Sequence, residues 1–277
     1  MASYIDLHLH STQSDGSFSP TQVVQRAAKL GLSAISLTDH DSVAGVQEAH
    51  NIGRDIGVEV IPGTELSAHE AGMDIHILGY FIDPANSDLL AYLQKFQDAR
   101  RNRAEKIVAR LNRLGVRITM AHVLHKAGDA AIGRPHVADV LVEEGFVFSH
   151  DHAFQKYLGY GKPAYQPKFV LTPREAVEII HAAGGLASLA HPVLYRRDAL
   201  IPDLIKQGLD GIEVMHIKHD RSDVRRYSDM AKRYGLLTTG GSDCHGDGRG
   251  QAVIGTVPVP STFLDAMKES VGAHPLL

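Results

Sequence analysis

The sequence has 277 residues, of which 44% are hydrophobic and 22% charged, and its net charge is −4 with histidine neutral. That length allows one large domain or a domain with an insert, and the charge balance excludes a bulk nucleic-acid binder while leaving room for a local basic groove. Its only cysteine, Cys244, excludes an internal disulfide and a thiolate zinc site, and with no run of about 18 apolar residues and no leader pattern the expected location is the cytoplasm, away from membranes.

Taken in chain order, the segments alternate. Residues 4–9 predict a strand. Ser19-Pro20-Thr21-Gln22 is a capping box with proline at the first helical position, and Gly31 is the stop. A second strand over 34–37 ends in Thr38-Asp39-His40-Asp41, and a helix follows to 56. The third, over 58–61, ends in Pro62-Gly63-Thr64-Glu65, and the fourth, over 74–82, contains His76. From 86 to 115 runs a long helical stretch, then short helical pieces to 161, with no strand among them. Alternation resumes at the capping box Thr172-Pro173-Arg174-Glu175. Strands over 186–190, 211–215 and 236–241 end in His191-Pro192, His216 and Ser242-Asp243-Cys244-His245. Seven strands mostly followed by helices predict an α/β fold with a parallel sheet, and paired terminal strands close it as a barrel. The expected domains are a barrel of residues 1–85 and 166–277 and a helical insert of 86–165.

Side chains two apart in a strand share a face. His8 and His10 can therefore grip one ion together, as can Asp243 and His245, and only folding can unite these two ends of the chain. Further candidate ligands stand at strand ends: His40, Glu65 and His191, with His76 inside a strand and Asp15 in the first loop. Imidazoles and carboxylates suit manganese first, with iron or zinc as alternatives. Nine such residues are too many for one ion and fit two or three divalent metal ions, with Glu65 bridging. Left unpaired in a core, each would cost several kcal/mol.

The strings DLHLH, SDG, TDHD, PGTELS, IHILGY, AHP and GSDCHG, in this order, resemble the PHP (polymerase and histidinol phosphatase) metallohydrolases along nearly the whole chain. Arg134-Pro135-His136 through Gly161-Lys162-Pro163-Ala164-Tyr165 resembles the small stand-alone branch of that superfamily. The resemblance implies a distorted (β/α)7 barrel with an inserted, mainly helical domain. It implies a phosphoesterase that removes the 5′-phosphate of 3′,5′-bisphosphorylated nucleotides or trims short RNA from its 5′ end. It also implies a trinuclear metal site: His8, His10, Glu65 and Asp243 at one position, Glu65, His76 and His191 at the second, Asp15, His40 and His245 at the third. Val193 and Leu194 depart from the Gly-Arg that often follows AHP in this branch.

The chemistry expected is in-line attack on phosphorus by hydroxide, since a divalent ion lowers the pKa of water from about 15.7 towards 7. No covalent enzyme intermediate is expected, and Cys244 is read as a buried hydrophobe. His216 and His219 are the candidates for protonating the leaving alkoxide or holding a phosphate. Arg134 and His136, then Lys162, are the candidate phosphate contacts. The basic run from Lys95 to Arg117 reads first as a solvated helix face, with Arg100 and Arg103 as candidate substrate contacts. Leu89, Leu93, Phe96, Ile107, Leu111 and Leu114 read as that helix's packing stripe. Substrate partners would be a small phosphorylated nucleotide or short RNA, with no obligate protein partner. The alternatives are a histidinol-phosphate phosphatase, a deaminase of amidohydrolase type, and a non-catalytic metal-stabilised binding module.

Overall fold

The structure, a computed structural model, describes residues 4–128, 132–167, 169–247 and 252–273. Two compact units divide the chain: Met1–Tyr92 with Val170–Leu277, and Leu93–Phe169.

The first unit is an α/β barrel. Its strands are β1 (Tyr4–Leu9), β2 (Ala34–Leu37), β3 (Glu59–Glu70), β4 (Met73–Tyr80), β5 (Leu186–Leu189), β6 (Gly211–His216), β7 (Leu237–Gly241) and β8 (Val259–Pro260). Its helices include α1 (Pro20–Lys29) and α2 (Val46–Ile56), while α3 (Ser87–Arg113) leads out of it. The sheet order is β7-β6-β5-β4-β3-β2-β1-β8. Ser19 caps α1 through the predicted box, and Gly31 follows it at φ 75°. Ile5, Leu7, Ile61, Leu78 and Tyr80 pack into one core, and Leu9, Ile35, Leu37 and Val60 into another.

The sheet differs from the all-parallel expectation in three places. β3 does not end before Glu65 but runs twelve residues to Glu70. It changes partner at Pro62, the last residue paired with β2, and from Gly63 it pairs antiparallel with β4. Proline lacks the N–H that a central ladder needs, so it marks the change. β4 is therefore antiparallel to both neighbours, turned back through Ala71 and Gly72 at φ 49° and 82°. Positive φ at both central residues is the tight hairpin geometry, which Ala-Gly signals more weakly than Asn-Gly. β8 is an eighth, antiparallel strand beside β1.

Closure between β1 and the end of β7 depends on two residues. At Gly241 any Cβ would stand 2.4 Å from the His8 backbone nitrogen, so only glycine lets the chains come this close. Asp6 then fastens them: its carboxylate accepts the Ser242 and Gly255 amides, each at 2.9 Å. His10 N–H donates to the Cys244 carbonyl at 3.0 Å beyond it.

The second unit is helical: most of α3, then α4 (Met120–Ala127), α5 (Arg134–Glu143), α6 (His150–Ala153) and a π-helical turn, Phe154–Leu158. Ile107, Leu111, Val123, Val137, Leu141 and Leu158 form its core. Leu114 departs from the predicted stripe, lying past the end of α3 and 49% exposed. Back in the barrel come α7 (Pro173–Ala182, capped by Thr172), α8 (Ile201–Lys206), α9 (Arg221–Tyr234) and α10 (Ser261–Ala273).

Asp6→Ala should leave two amides without their acceptor, at about 1–3 kcal/mol each. A loss of about 2 kcal/mol corresponds to a melting point lower by about 4–8 °C, and an unshifted thermal melt would show that closure does not depend on Asp6.

Candidate metal centre

The barrel gathers imidazoles and carboxylates from six of its strands and the loops that follow them. Leu7 and Leu9 lie on one face of β1 while Asp6, His8 and His10 share the opposite face of β1 and its continuation, all buried. His40 follows β2 and forms a parallel bridge to Glu65. Glu65 sits within β3 opposite Leu78, and His76 within β4 opposite Ser67. His191 follows β5, and Asp243 and His245 follow β7.

Glu65, fully buried, lies at the middle of the group. Its Oε1 is 2.9 Å from His76 Nδ1 and 3.1 Å from His191 Nε2. Its Oε2 is 3.0 Å from His40 Nδ1 and 3.3 Å from both His8 Nε2 and His10 Nε2. Asp243 Oδ1 is 3.1 Å from His10 Nε2 and 3.5 Å from His8 Nε2. On the outer side His245 Nε2 is 3.2 Å from Asp15 Oδ1, and its ring stacks on His10 at 4.1 Å.

This donor set fits divalent cations. Both ring nitrogens of His10, Nδ1 of His40 and His76, and Nε2 of His245 are buried without a hydrogen-bond partner. Imidazoles stacked against imidazoles, with bare nitrogens aimed at carboxylate oxygens, would be costly in a dry core. Within 4.8 Å of one another lie ligand atoms of His10, Asp15, His40 and His245; of His8, His10 and Asp243; of His8, Glu65 and His191; and of His40, Glu65 and His76.

The surrounding groups fix which nitrogen points inward. His8 Nδ1 is 3.0 Å from Glu213 Oε1, His191 Nδ1 is 3.2 Å from the Tyr195 hydroxyl, and His245 Nδ1 is 2.9 Å from the Asp243 carbonyl. Each contact takes up Nδ1 and leaves Nε2 to the centre, the usual support for a ligating histidine. Glu213 also accepts the His191 amide at 2.7 Å. His216 is set the other way: its Nδ1 accepts the Lys218 amide at 3.1 Å, so Nε2 carries the proton and donates to Asp243 Oδ2 at 3.3 Å. His219 Nδ1 donates to the Val214 carbonyl at 2.9 Å, leaving Nε2 as its free nitrogen. Asp39 accepts from Ser11 and Ser14, and Asp41 from Ser67, which pins the chain on both sides of His40. His191, Asp41 and Asp243 hold φ at 28°, 49° and 52°, strain that the surrounding hydrogen bonds sustain.

The titrations follow from this crowding. Burial pulls the His40 imidazole down, but Glu65, then Asp15 and Asp41, more than offset it and raise it to about 9. Burial and the neighbouring His40 lower His10 to about 3. Burial opposes ionisation of Glu65 and Asp243, yet the imidazoles around them hold both carboxyls well below the usual range.

Glu213 and Tyr195 were not singled out by the sequence reading. Glu213 carried a signal, a carboxylate inside the apolar run Gly-Ile-Glu-Val-Met, whereas Tyr195 carried none. The remaining candidates lie in the helical unit. Arg134 donates to the Leu158 carbonyl at 3.2 Å with its guanidinium over Phe154, and His136 Nδ1 accepts the Gly133 amide at 3.1 Å. Arg103 donates to the Gln166 carbonyl at 3.0 Å, Arg100 lies over the Phe96 ring, and Lys162 is exposed in the loop after the π-helical turn. Cys244 is buried in the barrel core.

Residues 6–158 match the PHP domain family model. A 5′-3′ exoribonuclease of Haemophilus influenzae is 37% identical over 88% of this chain and 91% of its own. A 3′,5′-nucleoside bisphosphate phosphatase of Chromobacterium violaceum is 35% identical over 91% of this chain and 90% of its own. Among solved structures, a protein of Bifidobacterium adolescentis described as a metal-dependent phosphoesterase superposes with a TM-score of 0.81 at 32% identity, covering 96% of each chain.

Cation binding at this centre must displace the proton held on His40. Apparent affinity for a divalent ion should therefore climb from pH 6.5 through about 9, the more so because burial of His8 is outweighed by Glu213, Asp243 and Glu65, which raise its imidazole well above its ordinary value as well. Calorimetric titration across that range, with proton release read from buffers of different ionisation enthalpy, checks this; constant affinity from pH 7 to 9 would contradict it.

Proposed function

From the membership of this chain in the PHP domain family, which makes it a metal-dependent phosphoric ester hydrolase, we propose that it acts on nucleotides. The substrates are the 5′-phosphate of 3′,5′-bisphosphorylated nucleotides and the 5′ end of short RNA. The observation that carries this reading is the Glu65 carboxylate ringed by five imidazole nitrogens, beside relatives named for those two activities.

The proposed ions are two to three, manganese first, with iron or zinc as alternatives. His8, His10, Glu65 and Asp243 would hold one, Glu65, His76 and His191 the second, and Asp15, His40 and His245 the third. Such ions polarise a phosphoryl oxygen and supply hydroxide at neutral pH.

The chain's own groups do the rest. Glu213 and Tyr195 keep the His8 and His191 rings from turning. His216 donates its Nε2 proton to Asp243 and so orients that carboxylate. His219 keeps Nδ1 on the Val214 carbonyl, so Nε2 is where it can pass a proton to the leaving alkoxide. Burial lowers its pKa, which makes its cation a stronger acid. Arg134, His136 and Lys162, with Arg100 and Arg103, are proposed phosphate contacts from the helical unit. The proposed setting is the cytoplasm; among the described residues no helix is long and apolar enough to cross a membrane.

A panel of adenosine 3′,5′-bisphosphate, AMP, histidinol phosphate and 5′-phosphorylated oligoribonucleotides, assayed with manganese, tests the reading. The bisphosphate or the oligonucleotides should turn over fastest. Preference for histidinol phosphate would overturn it. Asp243→Asn should lower kcat by at least about a hundredfold with the fold intact by circular dichroism.

A further inference from the structure

The loop that follows β1 folds back onto one buried carboxylate. Asp39, two residues beyond β2, is 2% exposed. Its carboxylate accepts the Ser11 amide and hydroxyl, both at 2.7 Å, and the Ser14 hydroxyl at 2.5 Å. All three donors belong to the loop of residues 11–18, which carries Asp15. Ser11 and Ser14 are buried, so loss of the acceptor would strand them away from water. The Asp39 carbonyl meanwhile takes the Glu65 amide and the Thr64 hydroxyl, each at 3.2 Å, and His40 is its neighbour in the chain.

The far end of the loop is tied to the segment after β7, where the Ser17 amide donates to the His245 carbonyl at 2.9 Å. Between these two anchors Asp15 Oδ1 stands 3.2 Å from His245 Nε2. Of the nine candidate ligands only Asp15 is exposed, with 36% of its side chain accessible, whereas the side chains of His8, His10 and Glu65 are fully buried. The inner rings owe their orientation to other groups. Glu213 holds His8 and the His191 amide, and Tyr195 holds the His191 ring. The Asp39 side chain therefore bears on the outer group of Asp15, His40 and His245. Its backbone contact to Glu65 would survive a change of side chain.

We propose that Asp39 is the positioning residue that builds the outer cation position, and that the ion held there is the exchangeable one, last to load and first to leave. The proposal rests on the metal-dependent reading of this centre and ranks its parts.

The test titrates the full, metal-free chain with manganese by calorimetry and with cobalt(II) by visible absorption. The wild type should show tight uptake followed by a weaker final step. Asp39→Asn keeps the shape of the side chain and one acceptor oxygen. It should weaken the final step about ten- to a hundredfold, as loss of a partner behind a ligand does, and leave the tighter steps where they were. The last cobalt spectral change should move with it. Asp15→Asn, which alters the ligand itself, should strike the same step. Ser14→Ala removes one of the three donors and should weaken that step less; it also decides the matter if Asp39→Asn does not fold. A role confined to folding would lower the melting temperature of the metal-free protein without altering the spacing between the steps. Unchanged uptake in Asp39→Asn and Ser14→Ala, or tight and weak steps weakened alike, would overturn the proposal. A wild type that takes up no divalent ion would sink the metal-dependent reading itself, whereas uptake in one indivisible step would overturn the exchangeable outer position alone.

Discussion

Five imidazole nitrogens within 3.3 Å of one buried carboxylate, that of Glu65, are the constraint from which the rest of this barrel can be understood. One carboxylate cannot neutralise or hydrogen-bond five rings. Burial alone would drive such groups neutral and leave bare nitrogens facing one another, a costly arrangement in a low-dielectric core. A divalent cation held by these residues would remove that cost, and its binding would couple to folding. The same convergence suits the chemistry of a metal-dependent phosphoesterase, in which a bound cation would polarise a phosphoryl oxygen.

The architecture serves that convergence. Glu65 and His76 come from antiparallel strands of a hairpin, so they reach the centre from mid-strand, whereas the parallel strands deliver their imidazoles and carboxylates from their ends. Gly241 and Asp6 bring the two ends of the chain within bonding distance, which places Asp243 against His8 and His10. Asp243 sits at φ 52°, and this breaks the alternation that would have aimed it and His245 the same way. Asp243 turns to His8 and His10, and His245 turns to Asp15. The string Asp243-Cys244-His245 thus spans two groups of residues that could hold a cation, with Cys244 buried between them.

Much of this was legible in the chain. Capping boxes at Ser19 and Thr172 gave helix starts that the structure reproduces, because both rest on local hydrogen bonds. Strand-end histidines stood out because polar residues in apolar runs need a reason to be buried. The path of β3 was not legible, since Pro62-Gly63 reads as a stop when only local turn chemistry is considered. In the fold those residues mark an exchange of partners, and Gly63 is small because Ser36 would stand 2.4 Å from a Cβ there. Tyr195 was invisible for a similar reason. Its hydroxyl meets His191 and the amide of His76, a contact 119 residues away that no local pattern encodes. Leu114 continues the apolar periodicity in the sequence, but α3 ends at Arg113 and leaves it exposed.

The account depends on Glu65 joining the ions into one centre. Elemental analysis of the wild-type chain and of Glu65→Ala, both purified with manganese and desalted, tests this most directly. Two to three equivalents in the wild type and less than half as many in the variant are the predicted result, because all five rings lose their shared partner. Equal metal content in the two proteins, or a wild type that retains none, would contradict it.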